Sequence, residues 1–239
     1  MNKNSNTYTL GFAAILVTVV AALLAFLFMS TKAKYEANKK NEKMQNILAT
    51  IGVTVDRDAA AVEFDKYIKK QLAVKTDGTV ANGINVFDIN LKKQVKKDAN
   101  EQVLPLYIAE KDGKKFYIIP LYGAGLWDAI WGFISLKDDL NTVVGVNFDH
   151  KGETPGLGAQ ITEKWFQKQY EGKQLLKDAN AGHTTNNFVS VVTVKGGTPA
   201  SNTHGVDAIS GSTKTSDGVT NMLQERLARY MPYFKTIKK

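Results

Sequence analysis

Residues Leu10 to Met29, LGFAAILVTVVAALLAFLFM, constrain this chain more than any other stretch. They carry no charge and a single hydroxyl, Thr18. As an α-helix rising 1.5 Å per residue, such a run covers about 30 Å, the hydrocarbon thickness of a bilayer. A cleaved secretory signal has a shorter apolar core and small residues at its cleavage site. Here the run ends in Ser30-Thr31-Lys32, so the reading is an uncleaved anchor. Ion pathways through lipid need ionisable side chains, and this segment has none. It tethers rather than conducts.

Beyond the anchor there is room for one ordinary domain. Thr31 to Lys43 is rich in Lys, Asn and Glu and reads as a solvated helix or linker, continuing toward Met44, Ile47, Leu48 and Ile51 at helical spacing. Phe64, Tyr67, Ile68 and Leu72 suggest a second short helix. Strand patterns then dominate. Leu104–Glu110 and Lys115–Tyr122 flank an Asp112-Gly113 pair, a strong hairpin signal. Gly132–Leu136 and Thr142–Phe148 form a second β pair, Ile161–Tyr170 looks helical, and Phe188–Val194 reads as a strand ended by Gly196-Gly197. Val219, Met222, Leu223, Leu227 and Tyr230 line one face of a final helix, with Thr215, Ser216 and Asp217 as candidate N-caps.

Composition removes several functions. The net charge is +8, but of the 31 basic residues only Arg57, Arg226 and Arg229 are arginines, with no Arg-rich face for nucleic acid. No nucleic-acid partner is expected. The absence of cysteine excludes disulfides, thiolate nucleophiles and Cys-held metal centres. His150, His183 and His204 lie far apart without ligand spacing, so no metal site is expected. Neither a dinucleotide fingerprint nor a P-loop is present, and no nucleophile elbow orders a catalytic triad.

Three segments could carry chemistry. Asp207-Ala208-Ile209-Ser210-Gly211-Ser212-Thr213 precedes the last helix, where free N–H groups and the positive end of the helix dipole favour a phosphate. On composition alone a plain capping loop is the commoner reading of such a segment. His150-Lys151-Gly152-Glu153-Thr154-Pro155-Gly156-Leu157-Gly158 comes after an apolar strand; its Pro and glycines make a tight loop that can approach a flat ligand, or simply connect strand to helix. Gly123-Ala124-Gly125-Leu126-Trp127, with Trp131 and Phe133, is an aromatic stretch that suits either core or cofactor contact.

In this order, after an uncharged anchor, GAGLW at 123–127, HKGETPGLG at 150–158 and DAISGST at 207–213 resemble one family: the C subunit of the Na+-translocating NADH:quinone oxidoreductase, with its FMN-binding domain. The last motif is similar to that family's flavinylation signature. The resemblance implies an α+β fold with a single transmembrane helix, and FMN esterified through its phosphate to Thr213 by a separate flavin transferase. Asp207, Ser210, Gly211 and Ser212 would be motif residues, and Ser212 stands where the family more often has Ala. Glu153, Thr154, Gly156, Leu157, Gly158 and Trp127 would neighbour the flavin. The implied organisation is a short tail over 1–9, an anchor over 10–29, a stalk over 30–60 and an FMN-binding domain over 61–239 with its C-terminal helix at 217–230. The implied role is electron transfer among the other subunits of a membrane complex, with no catalytic residue of its own.

Two alternatives remain: the flavin-bearing G subunit of the related Rnf complex, and a non-redox, membrane-tethered binding protein. On sidedness, Lys32, Lys34, Lys39, Lys40 and Lys43 favour a cytoplasmic domain, whereas the resemblance implies a periplasmic one in the bacterial inner membrane. The expectation follows the resemblance, because long domains override the charge bias.

Overall fold

The computed structural model describes residues 5–238 and falls into two compact units, 1–43 and 44–239. Helix α1 (Asn6–Ala49) makes up nearly all the described part of the first unit and continues into the second; it begins at Asn6, so the tail expected over 1–9 is helical from that residue onward. Residues 1–4 of that tail lie outside the described residues. Leu10, Leu16, Leu23, Phe26 and Met29 are all exposed along the helix. By length and composition α1 can cross a membrane. Of the solvated helix or linker read over 31–43, the helix is what forms: this stretch is part of α1, which ends at Ala49.

The second unit is built on a six-stranded antiparallel sheet. Its strands are β1 (Ile68–Lys75), β2 (Val80–Ala81), β3 (Val103–Lys111), β4 (Lys114–Ala124), β5 (Ala129–Lys137) and β6 (Val143–His150). They lie in the order β2-β1-β3-β4-β5-β6. The predicted hairpin is present: Lys111 pairs with Lys114, and Asp112 and Gly113 both have positive φ, the twist that a two-residue turn requires. The second predicted pair is β5 and β6. The helix read through Phe64, Tyr67, Ile68 and Leu72 is only half right. Helix α2 (Ala60–Tyr67) stops there, and Ile68 begins β1, because pairing with β3 overrides local periodicity.

Alternation along the strands gives two cores. Leu104, Leu106, Ile119, Leu121, Ile130 and Ile134 face one side; Tyr107, Ala109, Ile118 and Phe133 face the other. The second side is covered by Ile47, Leu48 and Phe64. Beyond the four-residue α3 (Leu91–Gln94), the remaining elements are α4 (Lys164–Lys168), β7 (Val192–Val194), β8 (Gly205–Asp207), α5 (Thr213–Ala228) and α6 (Met231–Ile237). The helix expected over 161–170 is shorter, a 3-10 turn at Gly158–Thr162 followed by α4. The strand expected over 188–194 is confined to Val192–Val194, which pairs in parallel with β8. All five residues predicted for the face of the last helix are buried against the first side of the sheet, and Tyr230 Oη donates to the Pro105 carbonyl at 2.8 Å.

Candidate functional site

The last helix was expected over 217–230. The helix there, α5, starts four residues earlier, at Thr213, with Ser212 at its N-cap position, and ends at Ala228, so Tyr230 lies beyond it at the start of α6. Thr215 and Ser216 therefore sit in the first turn of α5 and are fully buried rather than capping it from outside. Their hydroxyls have tertiary tasks. Ser216 Oγ accepts the Ile209 N–H at 3.1 Å, while the Ser216 N–H donates to the Ser212 carbonyl at 3.0 Å. Thr215 Oγ1 donates to Glu153 Oε2 at 2.5 Å. Ser212 makes no side-chain cap, so the first N–H groups of α5 are left to other acceptors.

Glu153 joins two of the motif segments to that turn. It is 4% exposed, and its Oε1 accepts the backbone N–H of Trp127 at 3.0 Å. Its own N–H donates to His150 Nδ1 at 3.1 Å. Trp127 Nε1 in turn donates to Thr154 Oγ1 at 3.2 Å. Two glycines explain how the carboxylate fits: a Cβ on Gly125 would lie 2.5 Å from Glu153 Oε1, and one on Gly158 would collide with Oε2. The third segment closes on the second at Gly211, where a Cβ would come within 3.0 Å of Leu157 Cδ2. Outside this cluster, Lys151 Nζ and Asp128 Oδ2 form an exposed ion pair at 2.6 Å between the same two loops. The hydrogen bond from Lys151 holds the Asp128 carboxyl below the usual carboxylate range.

Thr213, Gly211, Ser210, Thr154, Gly156, Leu157 and Trp127 are exposed around the start of α5, and Ser212 is buried at 5%. Asp207 is engaged differently. At the end of β8, its Oδ1 accepts the Thr198 N–H at 2.7 Å and its own N–H donates to Gln169 Oε1 at 2.8 Å. Phe133, offered with the aromatic stretch, belongs to the core on the far side of the sheet. Sequence reasoning missed Gln169 altogether, did not connect Thr215 with Glu153, and took Gly125 only as one letter of its motif. The richness of both loops in glycine was the one signal that a side chain is packed tightly between them.

A family model described as FMN-binding domain matches residues 125–228, the span from the GAGLW loop to the end of α5. The C subunit of the Na(+)-translocating NADH-quinone reductase of Pseudomonas aeruginosa is 31% identical over 93% of this chain and 91% of its own length. That of Pasteurella multocida is 30% identical over 99% and 96%. Among solved structures, the C subunit from Parabacteroides distasonis is 35% identical with a TM-score of 0.76, over 85% of this chain and 96% of that one. Shewanella oneidensis NqrC is 30% identical with a TM-score of 0.70, over 83% and 97%.

The chain belongs to the C-subunit family of Na(+)-translocating NADH-quinone reductases.

The residues present fit the flavin that this family's domain is named for. The start of α5 lacks a side-chain cap, which suits a phosphate. Thr213 offers an exposed hydroxyl there, and Leu157, Leu126 and Trp127 expose apolar surface on the adjoining loops. Such surface suits the flat, apolar faces of a ring. Leu157 is also in reach of Gly211, so the family's motifs meet at one end of one helix.

Proposed function

We propose that this chain is the membrane-anchored electron carrier of a Na+-translocating NADH:quinone reductase, holding FMN covalently as a phosphoester on Thr213. The observation that carries this reading is the meeting of three sequence-distant motifs at the uncapped start of α5, with Thr213 exposed and its neighbour Ser212 buried. FMN bound there supplies redox chemistry. The protein's own groups retain and orient it: the helix N-terminus for the phosphate, and Trp127, Thr154 and Leu157 for the ring. No general acid or base is assigned, since carrying an electron requires none.

The remaining parts accord with the same reading. Leu10–Met29 anchors the chain in the bacterial inner membrane, with the FMN domain on the periplasmic side. The other subunits of the complex supply the nicotinamide and quinone sites, and a flavin transferase loads Thr213. The relatives from Pseudomonas aeruginosa and Pasteurella multocida are both C subunits, which favours this reading over the Rnf alternative.

The test is in-gel flavin fluorescence of the denatured chain, expressed with a flavin transferase, together with peptide mass mapping. Thr213→Ala should abolish covalent flavin while leaving the domain folded; Ser212→Ala should leave it intact. Full labelling of the Thr213→Ala chain would refute the acceptor assignment. A C-terminal reporter active only in the cytoplasm would refute the sidedness.

A further inference from the structure

The two adjacent hydroxyls at the start of α5 are presented oppositely. Ser212 is 5% exposed, whereas Thr213 faces solvent. Helix geometry explains this through Thr215. Residues two apart on an α-helix point about 200° from one another, so a turn that aims Thr215 inward aims Thr213 outward. Ser212, three residues before Thr215, lies close to the inward side. Thr215 points inward at the Glu153 carboxylate. The carboxylate takes the Thr215 hydroxyl on one oxygen and the Trp127 N–H on the other. Because Gly125 and Gly158 wall the carboxylate in, it has little freedom to turn elsewhere.

We infer that Glu153 is a positioning residue for flavin attachment: it acts through Thr215 to set the rotation of the first turn of α5, so that Thr213 rather than Ser212 is offered to the modifying enzyme. The inference rests on Thr213 being the acceptor and assigns Glu153 a role different from flavin contact. The role is geometric, not ionic. Glutamine at this position can present its carbonyl to the Trp127 N–H and its amide N–H to Thr215 Oγ1, keeping both contacts. Removing the hydroxyl of Thr215, or pushing the carboxylate aside with a methyl at Gly158, should break the arrangement without touching Thr213.

The experiment expresses the full chain with a flavin transferase and follows the Thr213-labelled peptide against time after induction. Hydrogen exchange of the same unlabelled chains is measured in parallel. Thr215→Val, Gly158→Ala and Glu153→Ala should each slow labelling by about tenfold, the factor corresponding to one lost buried hydrogen bond. Exchange should quicken across 212–217 while the sheet keeps its protection. Thr215→Ser and Glu153→Gln should label at close to the unsubstituted rate. Unchanged labelling in Thr215→Val and Gly158→Ala would overturn the inference, as would a Glu153→Gln chain as slow as Glu153→Ala. Should Glu153→Ala fail to fold, the Thr215 and Gly158 variants decide the question alone. Flavin mapped to another residue in the unsubstituted chain would instead refute the acceptor reading, and is distinguishable because no variant is needed to see it.

Discussion

Helices α1 and α5 place similar side chains in opposite surroundings. Between Leu10 and Met29 the large apolar residues of α1 are exposed all around the helix. In α5 a stripe of Val219, Met222, Leu223 and Leu227 is buried to within 2%. The first pattern has the length and composition to cross a membrane, while the second supplies one wall of a water-excluding core. A helix is therefore not hydrophobic in the abstract; its partner phase decides which residues it can hold.

The same substitution in each helix should break different things. Val219→Arg puts a charge into the buried face of α5, where an unpaired charge costs about 3–5 kcal/mol, a large share of a small domain's stability. The domain should lose its cooperative thermal transition while the chain still fractionates with membranes. Val20→Arg, near the middle of the apolar span, should leave the domain folded but weaken insertion by roughly 2.5–3.5 kcal/mol. Membrane fractionation and circular dichroism on both chains separate the outcomes. A Val20→Arg chain with a melted domain would contradict the comparison.

This contrast also marks the limits of what the chain discloses locally. That Leu10–Met29 is helical was legible because a long run of good helix formers specifies it locally, and the β3–β4 hairpin was legible because Asp112-Gly113 demands its turn locally. The start of α5 was not. Thr215, Ser216 and Asp217 all look like caps in sequence, and only the distant Glu153 and Ile209 show that the first two are buried ties inside the helix. Strand β1 was lost for a similar reason, since its pairing with β3 outweighs the helical spacing of Ile68 and Leu72. The motif segments themselves could be picked out, but their convergence on one carboxylate depends on tertiary contacts across 62 residues of chain.

A smaller effect probes how closely α5 is seated. Gly218 packs so near β4 that a Cβ would run into the Ala124 carbonyl oxygen. Alanine is the better helix former by about 1 kcal/mol, yet a backbone carbonyl cannot move aside cheaply, and overpacking typically costs about 1–3 kcal/mol. Gly218→Ala should therefore lower the thermal midpoint rather than raise it. A midpoint that rises would show that α5 stands off the sheet.

The dryness of the region beyond α5 can be titrated. His183 packs edge-on against Phe234 of α6 with its Nε2 3.3 Å from the Leu140 carbonyl oxygen, and burial holds its pKa below the ordinary value. The unfolded chain takes up a proton near pH 6.5 that the folded one resists, so stability falls as the pH drops below that value, until the folded form protonates too. The slope from this group is at most about 1.4 kcal/mol per pH unit. His183→Gln should flatten the stability profile between pH 7 and 5, measured by urea unfolding. An unchanged slope would place the ring in contact with water.

The smallest effect expected is at the exposed pair Lys151–Asp128, which links the same two loops as the buried Glu153 contact. Both partners are wet, so the Coulomb gain is screened and offset by the entropy of holding two mobile side chains. The Lys151 hydrogen bond nonetheless lowers the Asp128 pKa. For a carboxyl depressed on folding, the stabilisation is present above its unfolded pKa and fades as the pH falls through the folded one. Lys151→Met should thus move the Asp128 titration upward, followed by carboxyl carbon NMR, lower the thermal midpoint at pH 7 only slightly, and leave the rate of flavin attachment unchanged. Salt should reproduce the titration shift in the unsubstituted chain. If removing Lys151 instead slowed attachment as much as removing the Thr215 hydroxyl, the loops would be set by their exposed ion pair, and the contrast between wet and dry contacts would fail at the site where it matters most.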